Sequence, residues 1–98
     1  MKKTKYNVAL RTPIGTRMGV MDIQVHQGLA NGIMHILGKT HSFTGVVDEN
    51  GICRLSGKLE TLRQTVFYNA DGILTNEKVD LSIRSKADSF RLVGEACK

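Results

Sequence analysis

Val79-Asp80-Leu81-Ser82-Ile83-Arg84-Ser85 alternates apolar and polar residues at every step. A strand sends successive side chains to opposite faces, so this stretch buries Val79, Leu81 and Ile83 and presents Asp80, Ser82 and Arg84 to water. A helix would scatter the same residues around its axis. Moving outward, the period of two recurs. Ser89 to Ala96 carries Phe90, Leu92, Gly94 and Ala96 on one face, and Gln64 to Ala70 carries Val66, Tyr68 and Ala70 with Phe67 opposite. Ile52 to Leu59 aligns Cys53, Leu55, Gly57 and Leu59, and His41 to Asp48 aligns Phe43, Gly45 and Val47. Three more stretches, Tyr6 to Arg11, Arg17 to His26 and Ile33 to Leu37, complete eight strands. In the second of these the apolar phase slips between Met18, Val20 and the set Met21, Ile23, Val25, which predicts a bulge near Gly19 to Met21.

The punctuation between strands agrees with this reading. Thr12-Pro13-Ile14-Gly15 has the proline and glycine of a tight turn. Asn31-Gly32, within Gln27 to Gly32, predicts a hairpin, and Asn50-Gly51 predicts a two-residue one. Asp71-Gly72 reads either as a turn or as strand continued through Ile73 and Leu74 to Asn76-Glu77. Links this short join only antiparallel neighbours. The expected architecture is therefore all-β, an eight-stranded antiparallel up-and-down meander forming a small barrel or an open half-barrel. Residues 1–98 make one domain, with 1–5 expected to be a flexible basic terminus.

Composition narrows the function classes. The net charge is +5, but Lys2, Lys3 and Lys5 supply three of those charges, leaving +2 on the rest. The other basic residues are interspersed with acids, which argues against nucleic acid as a partner. Cys53 and Cys97 have no metal-ligand spacing and read as free thiols. The opening Met-Lys-Lys-Thr-Lys-Tyr-Asn lacks the apolar run of a secretory signal, and no segment approaches the ~20 apolar residues of a membrane span. A cytoplasmic location is expected.

Residues that tempt a catalytic reading lack partners. His26, His35 and His41 fall on different strands or strand ends without convergent spacing. Ser42-Phe43 and Ser89-Phe90 carry no nucleophile elbow, and the glycines introduce no phosphate-binding helix. Gly45, Gly57 and Gly94 sit inside strands, where glycine permits bending or close approach. No enzyme activity, cofactor or metal is expected.

Lys39 to Asp48 matches Lys86 to Glu95 at Lys, Ser, Phe and Val, which reads as two four-stranded halves. Thr12-Pro-Ile-Gly15, Ser42-Phe-Thr-Gly45 and Ser89-Phe-Arg-Leu-Val-Gly94 resemble the corresponding stretches of small calycin-like bacterial proteins of half-lipocalin type. That resemblance implies a barrel-like sheet and a small apolar ligand, with no catalytic residues to carry over. The chain has no tryptophan, so the Gly-x-Trp of true lipocalins is absent.

The concave lining is then Met34, Ile36, Phe43, Leu55, Tyr68, Leu81 and Phe90, which would either bind a small apolar or amphipathic ligand or form a dry core. Several strands are also apolar on both faces: Ile33 and Leu37 oppose Met34 and Ile36, Phe67 opposes Tyr68, and Val20 opposes Met21. That two-sidedness predicts a homodimer. A ligand-free interaction module and an OB-like nucleic-acid binder stacking bases on Phe43, Phe67 or Tyr68 are the competing readings.

Overall fold

The computed structural model describes residues 2–13, 15–36, 38–60, 65–86 and 88–97. Eight strands follow one another: β1 (Lys2–Thr12), β2 (Gly15–His26), β3 (Leu29–Ile36), β4 (Lys39–Val47), β5 (Ile52–Glu60), β6 (Thr65–Leu74), β7 (Lys78–Ser85) and β8 (Ser89–Ala96). No helix occurs among the described residues. Each strand pairs antiparallel with the next, and β8 returns to β1 over Tyr6↔Ala96 to Arg11↔Arg91, closing the barrel within one chain. Closure settles the choice between barrel and half-barrel. It also removes the edges onto which another strand could add.

One face of every strand turns inward. Tyr6, Val8 and Leu10 of β1 meet Met21 and Ile23 of β2, Met34 and Ile36 of β3, and Leu55 and Leu59 of β5 in one buried cluster. An eight-stranded barrel leaves an interior just wide enough for such side chains. Burying each large aliphatic contributes about 1.5–3 kcal/mol. Glycines tune the fit. Gly32 faces inward, and a Cβ there would lie 2.6 Å from Phe43 Cζ, so its lack of a side chain seats the phenylalanine ring. A Cβ at Gly45 would lie 2.0 Å from the Arg54 carbonyl oxygen, a backbone approach only glycine permits.

Several local expectations are corrected. The β1–β2 ladder is continuous from Lys2↔Val25 to Thr12↔Gly15, with no bulge near Gly19. Met18 and Val20 simply point outward while Met21 and Ile23 point in. The second hairpin turns at Gln27-Gly28, whose φ angles are 51° and 80°, and His26 pairs with Leu29 around it. Asn31-Gly32 lies inside β3, because its place opposite Phe43 has more use for a missing side chain than for a turn. The Asn50-Gly51 hairpin is present but has three loop residues: Asp48 N donates to Ile52 O (2.9 Å), and Gly51 takes the positive φ of 86°. Asp71-Gly72 is strand, as β6 runs on to Leu74.

Lys2 to Lys5 are the first rungs of β1, opposite Val25 to Asp22. The two similar stretches enter β4 and β8, with Ser42 and Ser89 exposed and Phe43 and Phe90 turned inward. Leu37 at the expected end of strand three, Gln64 at the expected start of strand six, Ile14 and Ala87 lie outside the described residues.

Candidate functional site

Alternation through the eight strands carries the seven expected lining residues to one interior. Met34, Ile36, Phe43, Leu55, Tyr68 and Leu81 are buried in the core cluster, and Phe90 packs against it half-buried. They are brought together as a close-packed filling. Burial pushes the Tyr68 hydroxyl up to about 12.

A cavity lies at one end of the barrel, above the filling. It measures about 380 Å³ and is lined by Tyr6, Ile23, Val25, Val47 and Leu74, with Thr4, Asp48, Glu49, Asn50 and Thr75 around the rim. None of the seven expected residues borders it; Phe43 and Tyr68 border instead a groove over β4–β6, and Ile36 one beside Met18 and His35. Val25, Val47 and Leu74 are the last inward-facing residues of β2, β4 and β6, so the strand period itself aims them into the opening.

Hydrogen bonds hold the rim. Asp48 Oδ1 accepts from the backbone N–H of Asn50 (2.8 Å) and of Ile52 (3.0 Å). Leu74 N donates to Gly51 O (2.7 Å), joining the β4–β5 loop to β6. Thr75 Oγ1 accepts from the N–H of Glu77 (3.2 Å) and of Lys78 (3.1 Å). The Tyr6 hydroxyl donates to Thr75 O and braces the floor from β1 to the β6–β7 turn. Burial raises the pKa of that phenol, which keeps it the donor in this bond. Among the described residues lining the mouth there are two carboxylates, Asp48 and Glu49, and no lysine or arginine.

Other titratable groups have structural roles. His41 is buried at 3% exposure, with Nε2 3.1 Å from Ile36 O and Nδ1 accepting from Glu60 N (3.3 Å). Those partners assign the proton to Nε2 and tie β3, β4 and β5 together at the end opposite the mouth. His35 is exposed, with Thr40 Oγ1 3.2 Å from Nδ1 and Asp22 Oδ2 3.7 Å from Nε2. His26 is exposed too.

Cys53 and Cys97 are both free. Burial first, then the charges of Asp71 and Asp48, push the Cys53 thiol up to about 11, so it sits in the core as a neutral group. On the outer face Arg91 grips Asp80 with two bonds of 3.1 and 2.7 Å, and the hydrogen bond holds that carboxyl below its usual range. No group of three or more His, Cys, Asp or Glu suited to a metal occurs among the described residues.

Three further grooves lie along the barrel wall. One of about 420 Å³ runs over β1–β3 past Lys3, Lys5, Asp22 and Ile33, and one of about 570 Å³ runs over β4–β6 past Ser42, Thr44, Lys58 and Phe67. The third, about 290 Å³, lies by Met18, His35 and Lys39. The groove over β4–β6 is bordered by Phe43, Phe67 and Tyr68 together with one lysine, Lys58, which lies 3.6 Å from Glu60.

Comparison with known proteins finds no matching family model, no matching curated protein and no matching solved structure. No helix of the described residues is long and apolar enough to cross a membrane.

Val25, Val47, Leu74 and Tyr6 were not singled out from sequence. Three of them carry a readable signal: each of Val25, Val47 and Leu74 is the last in-phase apolar residue before a turn, the position that closes or opens a barrel end.

Proposed function

We propose that the protein binds a small amphipathic molecule in the mouth of the barrel. The observation that carries this reading is the 380 Å³ opening, apolar in its walls and acidic at its rim. Binding sites of this kind combine apolar walls with a few placed polar groups, and their volumes begin near ~300 Å³. At about 30 Å³ per water-sized group, the mouth takes roughly a dozen non-hydrogen atoms. Val25, Val47 and Leu74 would contact the apolar part. Asp48 and Glu49 favour an ammonium or hydroxyl head group over a carboxylate. The packed interior beneath supports the mouth and excludes water from its floor. A non-enzymatic binder, in a reducing compartment such as the cytoplasm, fits a chain whose two thiols are free.

Titration with octylammonium and with octanoate, followed by amide chemical shifts, tests the reading. Octylammonium should perturb Val25, Val47, Leu74 and Thr75 and bind more tightly than octanoate. Val25→Phe, which fills the opening, should abolish the perturbation while leaving the fold intact. Shifts spread evenly over the barrel, or none at millimolar ligand, would reject the proposal.

A further inference from the structure

The polar groups around the mouth divide into those the rim spends on itself and those it leaves open. Asp48 belongs to the first set. Its Oδ1 accepts from the N–H of Asn50 (2.8 Å) and of Ile52 (3.0 Å), and its carbonyl accepts from Gly51 N (3.1 Å). It therefore shapes the β4–β5 loop. Thr75 is engaged as well, its Oγ1 by the N–H of Glu77 and Lys78 and its carbonyl by the Tyr6 hydroxyl. The Thr4 hydroxyl is hydrogen-bonded to that of Tyr6.

Three side chains on the same lining remain, Glu49, Asn50 and Asn76, and all are exposed. Among the described residues none of the three makes a side-chain hydrogen bond or ion pair. Above walls of Val25, Val47 and Leu74, the mouth thus offers one open carboxylate and two amide oxygens. That set of acceptors suits a head group with several N–H donors, and a primary ammonium has three. A quaternary ammonium has none and is held instead by a cage of aromatic faces. Tyr6 is the one aromatic ring among the described residues of the lining, so no such cage forms. A carboxylate head group would meet Glu49 as a like charge.

We propose that the mouth selects a primary alkylamine, with Glu49 binding the ammonium and Asp48 positioning the loop that carries Glu49. The proposal rests on the reading of the mouth as a binding site and assigns that site its specificity. A charge-assisted hydrogen bond is stronger than a neutral one, so Glu49 sets the affinity for the head group. Asp48 acts through the backbone N–H groups it holds. Its acceptor oxygen matters there more than its charge.

The test compares octylammonium, octyltrimethylammonium and octanoate by amide chemical shifts at Val25, Val47 and Leu74. Octylammonium should bind more tightly than octyltrimethylammonium. Glu49→Gln keeps the side chain's size, and should weaken octylammonium about threefold to tenfold without weakening octanoate. Asp48→Asn retains an acceptor at Oδ1 and should cost octylammonium less than Glu49→Gln does. Asp48→Ala releases the loop, so hydrogen exchange at Ile52 should accelerate and all three ligands should weaken together. Equal affinity for the two ammonium compounds would overturn the proposal. So would an octylammonium affinity that Glu49→Gln leaves unchanged, or that Asp48→Asn lowers as much. In each of those cases the mouth still binds a ligand. A wild-type protein that binds none of the three would instead overturn the mouth as a binding site, and its specificity with it.

Discussion

At one end of the barrel, buried His41 bonds Ile36 O and Glu60 N and so fastens three strands, with Leu59 and Leu10 packed beneath. At the other end, Val25, Val47 and Leu74 surround a cavity of about 380 Å³ whose rim is held by the loops' own hydrogen bonds. Both ends are reached by the same alternation of side chains. They differ in what the last inward residue is. A histidine can satisfy two backbone groups across a gap, whereas a valine leaves the gap apolar and open. The histidine end is therefore closed by a buried side chain, and the valine end by its loops around an apolar opening.

The largest expected effect breaks the middle. Phe43→Ala removes a ring seated on Gly32 and should destabilise the fold by about 3–5 kcal/mol in chemical denaturation. Val25→Ala at the mouth should cost only about 1 kcal/mol, because its side chain is already partly exposed. Equal costs at the two sites would erase the distinction between filled barrel and open mouth.

Next in size is the closed end. His41→Ala leaves Glu60 N–H and Ile36 O without their buried partner and should cost roughly 2–3 kcal/mol. The accompanying sign of a fastener is faster hydrogen exchange at Glu60, with the amide of Leu74 at the mouth unchanged. Exchange accelerating equally at both ends would show instead that His41 stabilises the barrel as a whole.

The smallest effect lies below the mouth, at Cys53. Its thiol titrates at about 11 in the fold against an ordinary 9.0, so the unfolded chain loses its proton first as pH rises. The contribution is complete below pH ~9 and fades between ~9 and ~11. Cys53→Ala should flatten the fall in melting temperature over that window. An unchanged slope would mean that the buried phenols, Tyr6 and Tyr68, carry the alkaline loss.

Much of the fold is legible in particular residues. Val79, Leu81 and Ile83 announce β7 and its inward face, and Leu92 and Phe90 do the same for β8. Misreadings concentrate at glycines. Asn31-Gly32 carries the local signature of a turn, yet the ring of Phe43, eleven positions on, needs that backbone inside a strand. Gly72, legible either as turn or as strand, lies in β6, where a Cβ would lie 2.0 Å from the Asp80 carbonyl oxygen. A local rule has no access to a neighbour that arrives from another strand. The phase slip in β2 misled for a related reason. Met18 and Val20 are apolar but point outward, and residue type alone does not reveal which face is covered.

The candidate site was less legible still. The large inward-facing residues are those that fill a barrel of eight strands. The opening is left by medium-sized residues at strand ends, whose neighbours across the mouth are set by register.

By itself, the order of residues determined the strand class, the number of strands and, where apolar and polar residues alternate cleanly as in β7, the face a strand buries, because a period of two is a local property of the chain. Tertiary structure alone decided that β1 meets β8 and that the interior is packed while one end stays open. Those outcomes depend on barrel closure and cross-strand register, which bring together residues as far apart as Tyr6 and Ala96. No stretch of sequence contains both partners.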